Sequence, residues 1–232
     1  MTGAASPQAR AAFIRAHTQI AAPPLVPEVK LHLATEITPL WQATAAWLED
    51  HDLPPPFWAF AWAGGQALAR HVLDRPDWVA GKRVLDFATG SGLVGIAAAK
   101  AGAARVTAAE IDPVAAIAAR MNARLNDVEL AVVCDDLIGR PLPDVDVLLA
   151  GDICYERPFA ERALGWFQDL CVAGTTILMG DPGRSYLPPA GLEAVAVHAV
   201  PTSRELEDRE LRDTTVWRVP GRGQSDDAGT TP

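Results

Sequence analysis

The chain has 232 residues and a formal net charge of −9, from 29 acidic and 20 basic side chains. This length suits one domain with a full core and some appended structure. No basic stripe is visible, which argues against a nucleic-acid partner, because such proteins gather lysine and arginine against phosphates. The longest uncharged stretch, residues 53–69, contains three prolines and two glycines, so we expect no membrane span.

The cysteine and histidine content points to a protein of a reducing compartment. Cys134, Cys154 and Cys171 are odd in number and widely spaced, which predicts free thiols and a cytoplasmic location. The five histidines never fall at ligand spacing with each other or with the cysteines, so we expect no metal site. No charged-then-apolar signal peptide opens the chain.

Hydrophobic periodicity divides the chain into four parts. Residues 1–8 and 221–232 are small and polar, which predicts a disordered start and tail. Residues 9–80 are predicted to form an N-terminal helical cap, and residues 81–220 a ligand-binding core. The predicted helices of the cap cover residues 8–18, 38–50 and 63–74.

Strands and helices alternate through the first part of the core, which predicts a parallel α/β sheet. The predicted strands cover residues 83–87, 105–110, 130–134, 145–150 and 175–179, and the helices residues 92–101, 113–125 and 158–170. Two further strands, 194–200 and 214–219, have no long helix between them and are therefore predicted to be antiparallel. The sequence thus predicts a Rossmann-like, seven-stranded sheet of the α/β class, mostly parallel with a C-terminal antiparallel hairpin, as in methyltransferases.

A glycine-rich turn follows the first core strand, where residues 84–95 read VLDFATGSGLVG. Gly90 and Gly92 would let the backbone approach a ligand closely, because they have no Cβ. The spacing of Gly90, Gly92 and Gly95 also matches the dinucleotide fingerprint of nicotinamide enzymes. Asp86 distinguishes a dinucleotide site from a methyltransferase site. Its carboxylate would repel the pyrophosphate of a dinucleotide, whereas it would attract the ammonium group of S-adenosylmethionine. The pattern favours a methyltransferase.

Acidic residues end or follow the first four core strands, at one edge of the predicted sheet, where ligands of such sheets bind. They are Asp86, Glu110, the pair Asp135 and Asp136, and Asp152. Glu110 lies 20 residues after Gly90, so its carboxylate is expected to accept hydrogen bonds from both ribose hydroxyls. Asp135 or Asp136 would then lie near the adenine amino group.

Two groups of side chains are expected to line the remainder of the cleft. Asp152 and Tyr155 lie three residues apart just after the fourth strand, and both can point into it. Trp58 and Trp62 belong to an aromatic segment that ends in two glycines, where a ligand could approach. Phe57 and Phe60 of the same segment fit the core as well as the cleft.

Several segments together resemble the protein-lysine methyltransferases of the Asp-x-x-Tyr group. They read FWAFAWAGGQAL (57–68), VLDFATGSG (84–92), IDP (111–113), GDICY (151–155), GDPGR (180–184) and TTVW (214–217). Within that group the chain looks most like the bacterial form of the enzymes that methylate the β subunit of electron transfer flavoprotein. The resemblance covers about residues 24–220, nearly the whole predicted folded part.

The resemblance, together with the pattern, implies S-adenosylmethionine as cofactor and the flavoprotein β subunit as protein partner. Asp152 and Tyr155 are expected to be catalytic, with Asp152 capturing and orienting the target lysine. The lysine pocket is expected to contain Trp58, Trp62 and Tyr155. The cofactor is expected to lie against Trp62, Asp86, Ala88, Thr89, Gly90, Gly92, Glu110, Ile111, Asp135, Asp136 and Asp152.

Two residues depart from the family pattern, and four other functions stay open. Ala88 stands where many relatives have glycine, and Glu110 where aspartate is common. The acceptor could instead be a ribosomal protein of the L11 or L7/L12 type, or a small molecule. A nicotinamide-dependent oxidoreductase and a non-catalytic binding module are the more remote alternatives.

Overall fold

The structure is a computed structural model that describes residues 6–34, 55–204 and 208–221. Its helices are α1 (Pro7–His17), α2 (Ala63–Asp74), α3 (Leu93–Lys100), α4 (Pro113–Leu125) and α5 (Arg157–Val172). Its strands are β1 (Gln19–Ala21), β2 (Leu31–Leu33), β3 (Arg83–Phe87), β4 (Arg105–Glu110), β5 (Ala131–Cys134), β6 (Val147–Gly151), β7 (Thr176–Asp181), β8 (Glu193–Pro201) and β9 (Leu211–Arg218). Short 3-10 turns cover Phe57–Ala59, Pro76–Trp78 and Ile153–Tyr155.

Seven strands form one sheet in the order β5-β4-β3-β6-β7-β9-β8. The pairs from β5 to β7 are parallel, whereas β9 is antiparallel to both β7 and β8. Residues 202–210, between β8 and β9, are too few for the crossover that a parallel pair requires. The predicted fold class is confirmed.

The sequence predicted the strands and helices of the core to within three residues at each end. It missed the small antiparallel sheet of β1 and β2, whose members are only three residues long. The helix predicted at residues 38–50 lies outside the described residues, as do most of the predicted disordered ends. The division into a cap and a core stays a prediction.

The core lies on both faces of the large sheet, because alternate residues of a strand point to opposite faces. On one face α2 and α3 pack against the strands through Leu68 and Ile96. On the other face α5 packs through Phe167 against Leu85 and Ile177. Strands buried on both faces explain why the sequence shows continuous apolar runs at β3 and β6.

The first turn of α2 packs without side chains against the carboxyl ends of β6 and β7. A Cβ at Gly180 would lie 2.0 Å from the carbonyl oxygen of Gly64, and one at Gly151 would lie 2.9 Å from the Cα of Gly65. Both contacts bring backbone against backbone, so a larger residue would force the helix away. This contact places the aromatic segment before α2 at the edge where ligands bind.

Within the described residues, no helix combines the length and the apolar character that crossing a membrane would need.

A histidine pair, one buried and one partly buried, joins α2 to the far edge of the sheet. The rings of His71 and His198 lie 5.9 Å apart, and the Nε2 atom of each is buried without a hydrogen-bond partner. Desolvation lowers the pKa of both rings, and for His71 the proximity of His198 adds to that effect. The fold therefore favours the neutral form of both rings.

We expect this pair to make the protein less stable in mild acid. A histidine whose pKa is lowered by folding favours unfolding once the pH falls below its unfolded pKa of about 6.5. Buried acids with a raised pKa, such as Asp86, act in the opposite direction over this range, so the contribution of the pair is measured as a difference between proteins. On going from pH 7.5 to pH 5.5, the free energy of unfolding in urea should change less favourably in the wild type than in His71→Leu, by about 1 kcal/mol. The partly exposed His17 offers the control His17→Gln; an unchanged pH slope in His71→Leu would contradict the assignment.

Candidate active site

The turn between β3 and α3 has the backbone of a ligand-binding loop. Gly90 and Gly92 have φ angles of +52° and +83°, a region that glycine enters without steric cost. Gly92 also lies close to α4, where a Cβ would come within 3.3 Å of Ala119. Ala88 shares the left-handed conformation with φ +52°, which a glycine would adopt without steric cost. The turn presents the amino end of α3 at the carboxyl edge of the sheet, where anionic and polar groups are favoured.

Asp86 lies beneath this turn, and its side chain is bonded to the turn itself. One carboxylate oxygen accepts a 2.8 Å hydrogen bond from the backbone N–H of Gly95 and a second one from the hydroxyl of Thr89. Asp86 is only 1% exposed, and this desolvation raises its pKa to about 7. The residue predicted to attract the ligand's ammonium group is thus also the internal anchor of the turn.

Glu110, at the end of β4, joins the neighbouring strand to the same turn. One carboxylate oxygen accepts from the N–H of Gly90 at 2.9 Å, and the other accepts from the N–H groups of Ile111 and Asp112 at 2.8 and 3.1 Å. Asp112 caps α4 by accepting from the N–H of Val114 at 2.7 Å. Beside Glu110, the side chain of Ile111 is 68% exposed and offers an apolar surface at the edge of the sheet.

Asp135 and Asp136 follow β5 at the outer end of this edge. Asp135 pairs with Arg140 at 2.8 Å, and Asp136 pairs with Arg162 at 3.1 Å. Asp136 also accepts from the N–H of Ile138, and this bond together with Arg162 lowers its pKa. Both carboxylates are half exposed and already engaged by cations.

Asp152 follows β6 in the left-handed conformation, with φ +56°, which turns its side chain back toward α2. One carboxylate oxygen accepts from the N–H of Gly65 at 2.8 Å. The other accepts from Nε and Nη2 of Arg184 at 3.1 and 2.7 Å. A side chain at Gly64 would collide with Asp152, since its Cβ would lie 2.6 Å from the carboxylate.

Arg184 is the functional candidate that the sequence analysis did not single out. It lies on the turn after β7, where Asp181 holds the backbone by accepting from the N–H groups of Gly183 and Arg184, each at 2.7 Å. Its guanidinium lies 5.4 Å from the ring of Trp62, within reach of a cation–π interaction. The segment GDPGR (180–184) carries this arrangement, but spacing alone did not reveal what its arginine contacts.

The aromatic side chains differ in part from the prediction. Tyr155 is 49% exposed and packs between the rings of Phe57 and Phe159, with centroids 5.7 and 5.9 Å away. Trp62 is partly exposed and donates its ring N–H to the carbonyl of Phe57 at 2.9 Å. These residues form one aromatic wall beside Asp152.

Trp58, predicted to line the lysine pocket, has a buried side chain, and its place in that pocket stays a prediction. It is 3% exposed and packs with Ile14 and Val114 between α1 and α4. Phe57, 39% exposed, takes the accessible position instead. The cause is the 3-10 turn at Phe57–Ala59, in which successive side chains point about 120° apart, so that neighbours reach opposite sides.

Comparison with known proteins identifies the family. The electron transfer flavoprotein beta subunit lysine methyltransferase of Danio rerio is 38% identical over 200 residues, which are 84% of this chain and 76% of the relative. That of Xenopus laevis is 37% identical over 88% of this chain and 85% of the relative. The chain belongs to this family of lysine methyltransferases. The membership confirms the methyltransferase that the glycine turn and Asp86 predicted.

A second set of relatives is matched less completely than this lysine methyltransferase family. Residues 68–153 match the family model described as ribosomal protein L11 methyltransferase (PrmA). The L11 methyltransferase of Pelobacter propionicus is 33% identical over 78% of this chain, but that match covers only 58% of the relative. Among solved structures, magnesium protoporphyrin IX methyltransferase from Synechocystis PCC 6803 superposes with a TM-score of 0.50 and 14% identity over 78% of this chain and 95% of its own. That likeness concerns the fold alone.

We expect Asp86→Ala to weaken cofactor binding by about tenfold or more, because it leaves the buried N–H of Gly95 without an acceptor. Isothermal titration calorimetry with S-adenosylhomocysteine measures this change. Asp86→Asn keeps an acceptor and should lose less affinity, and Asp169→Ala, which changes an exposed acid of α5, is the control.

The raised pKa of Asp86, about 7, predicts a pH dependence of cofactor binding. Wild-type affinity should rise from pH 6 to pH 8 as Asp86 ionises, and Asp86→Asn should not show this rise. Unchanged affinity in Asp86→Ala would contradict its role.

Proposed function

We propose that the protein is an S-adenosylmethionine-dependent protein-lysine N-methyltransferase that acts on the β subunit of electron transfer flavoprotein. One observation carries the proposal: relatives named for that activity match at 32–38% identity over most of both chains. The arrangement at the carboxyl edge of the sheet supports it, because a glycine turn suited to the cofactor lies next to an aromatic wall with a partly buried carboxylate, that of Asp152.

The residues around the glycine turn fit S-adenosylmethionine. Gly90 leaves room for a ligand against the backbone, and the exposed Ile111 offers an apolar surface for a flat ring. Glu110 uses three of its about four acceptor positions on backbone N–H groups, so a ribose hydroxyl can share the same carboxylate. When bound, the cofactor supplies a methyl group on a sulfonium, whose leaving group departs uncharged.

The protein must deliver a lysine in the neutral form. At a pKa near 10.4 only about one lysine in 2,500 is neutral at pH 7, which costs about 4.6 kcal/mol. Trp62, Phe57 and Tyr155 would lower this cost by removing water from the amine, since desolvation disfavours the charged form. Asp152 would orient the amine, and the lost proton would pass to solvent. Alignment of amine and methyl group would supply most of the acceleration.

We also propose a cytoplasmic location with no nucleic-acid or membrane partner. The net charge of −9 would repel phosphate backbones and favour a basic protein surface. The three cysteines fit a reducing compartment, because none is paired in the structure.

A second acceptor keeps support from one observation. The family model of residues 68–153 and the Pelobacter propionicus relative both carry the name of a ribosomal protein L11 methyltransferase. The matched residues 68–153 include the glycine turn, Asp86 and Glu110, so this match bears on the cofactor more than on the acceptor.

Intact-mass spectrometry distinguishes these acceptors. We expect recombinant electron transfer flavoprotein, incubated with the protein and S-adenosylmethionine, to gain multiples of about 14 Da on its β subunit. Asp152→Ala should abolish the gain, and Asp169→Ala, an exposed substitution on α5, should leave it intact. No gain on the flavoprotein, with a gain on ribosomal protein L11 in the parallel reaction, would overturn the proposed substrate and retain the methyltransferase.

We expect Tyr155→Phe to slow methyl transfer without weakening cofactor binding. The substitution removes only the hydroxyl and keeps the ring between Phe57 and Phe159. Single-turnover kinetics should show a methyl-transfer rate that falls by up to about tenfold, because the loss of one hydrogen bond costs a free energy of that order. A weaker affinity for S-adenosylhomocysteine at an unchanged transfer rate would assign Tyr155 to the cofactor instead.

A further inference from the structure

The ion pair between Asp152 and Arg184 lies inside the proposed lysine site. Nε–H and Nη2–H of Arg184 donate to the same carboxylate oxygen of Asp152, at 3.1 and 2.7 Å. The side chains of Arg184 and Asp152 are only 17% and 11% exposed. Sheltered charges interact more strongly than surface charges, so this pair persists where an exposed pair would be screened.

Arg184 is fixed in place by contacts on several sides. Its guanidinium faces the ring of Trp62 at 5.4 Å, and Asp181 holds its backbone N–H at 2.7 Å. Asp152 is fixed in turn by the N–H of Gly65 at 2.8 Å. The pair is therefore built into the frame of the site and is present before any substrate arrives.

This pair bears on a difficulty in the proposed chemistry. A lone carboxylate next to the target amine would stabilise its ammonium form, and an ammonium group has no lone pair with which to attack a methyl group. The guanidinium of Arg184 balances that carboxylate, because the two charges share two hydrogen bonds. The N–H of Gly65 and two N–H groups of Arg184 hold the carboxylate of Asp152 in a fixed orientation, from which it can direct an amine.

We propose that Arg184 is a positioning residue for methyl transfer: it compensates the charge of Asp152, so that the carboxylate orients the acceptor lysine as a neutral amine and does not trap it as an ammonium ion. This inference rests on the proposed function, since it takes Asp152 to be the residue that meets the target lysine. It explains why an arginine, whose charge is permanent, occupies the position.

Other titratable groups surround the pair and must be allowed for in any pH experiment. Asp181 lies close to Arg184 and Arg212, and Cys154 lies close to Asp152 and Asp181. Tyr155 feels the negative charges of Glu156 and Glu110. Burial raises the pKa of Cys154 to about 12 and also raises that of Tyr155, so neither group should ionise between pH 6 and pH 9.

The pH dependence of kcat tests the proposal, because it reports the groups that titrate in the enzyme–substrate complex. In Arg184→Gln, which removes the charge but can still donate to Asp152, the midpoint of the kcat profile should rise by about one pH unit or more. The rate at pH 7 should fall about tenfold and recover toward the wild-type rate at high pH. Arg184→Lys should restore the wild-type midpoint. The matched control is Arg218→Gln, a charge loss on β9, where Arg218 pairs with Glu193 at 3.5 Å.

A purely structural role would give a different result, in which kcat falls by the same factor at every pH and the lysine variant does not rescue it. That result would overturn the proposal. Methylation of Arg184→Lys at position 184 itself, in the absence of any protein substrate, would also overturn it, because position 184 would then be the acceptor position and not its neighbour.

A second measurement does not depend on the identity of the protein substrate. With S-adenosylhomocysteine present at pH 8, Arg184→Gln should bind n-butylammonium at least about tenfold more tightly than the wild type does. The reason is that no guanidinium then balances the carboxylate of Asp152. Arg184→Lys should bind it as weakly as the wild type. Equal binding by the wild type and Arg184→Gln would overturn the proposal, whereas a flavoprotein that gains no mass would overturn only the proposed substrate.

Discussion

The close contact between the first turn of α2 and the carboxyl ends of β6 and β7 sets the geometry of the site. Gly64 and Gly180 meet backbone to backbone, and no residue larger than glycine fits at either position without moving the helix. The contact brings the N–H of Gly65 to Asp152 and places Trp62 over Arg184. The lysine side of the cleft therefore depends on the absence of side chains where this helix meets the sheet.

The acids at this edge serve two purposes at once. Asp86 and Glu110 each accept hydrogen bonds from backbone N–H groups of the glycine turn or its flanks, which satisfies donors that the loop would otherwise leave unpaired. Asp152 does the same for α2. Because these carboxylates hold the backbone that contacts the ligand, the removal of one of them is expected to lower the affinity for the ligand as well.

The sequence was most informative where a pattern extends over many residues. Strands β3 to β7 were located correctly because buried parallel strands give continuous apolar runs, and the order of residues at their ends brought the acids together. Single side chains were harder to assign. Trp58 and Phe57 are neighbours in an aromatic segment, and only the 3-10 turn decides which one is buried. The Asp152–Arg184 pair spans 32 residues, and spacing in the sequence contains no sign of it.

The bond from the N–H of Gly65 to Asp152 has an electrostatic consequence for the cleft as a whole. Gly65 lies in the first turn of α2, so the carboxylate occupies the positive end of that helix dipole. The glycine turn presents the positive end of α3 at the same edge of the sheet. Two helix dipoles thus converge on the cleft of a protein whose net charge is −9, and the cleft offers a local potential that the overall charge does not reveal.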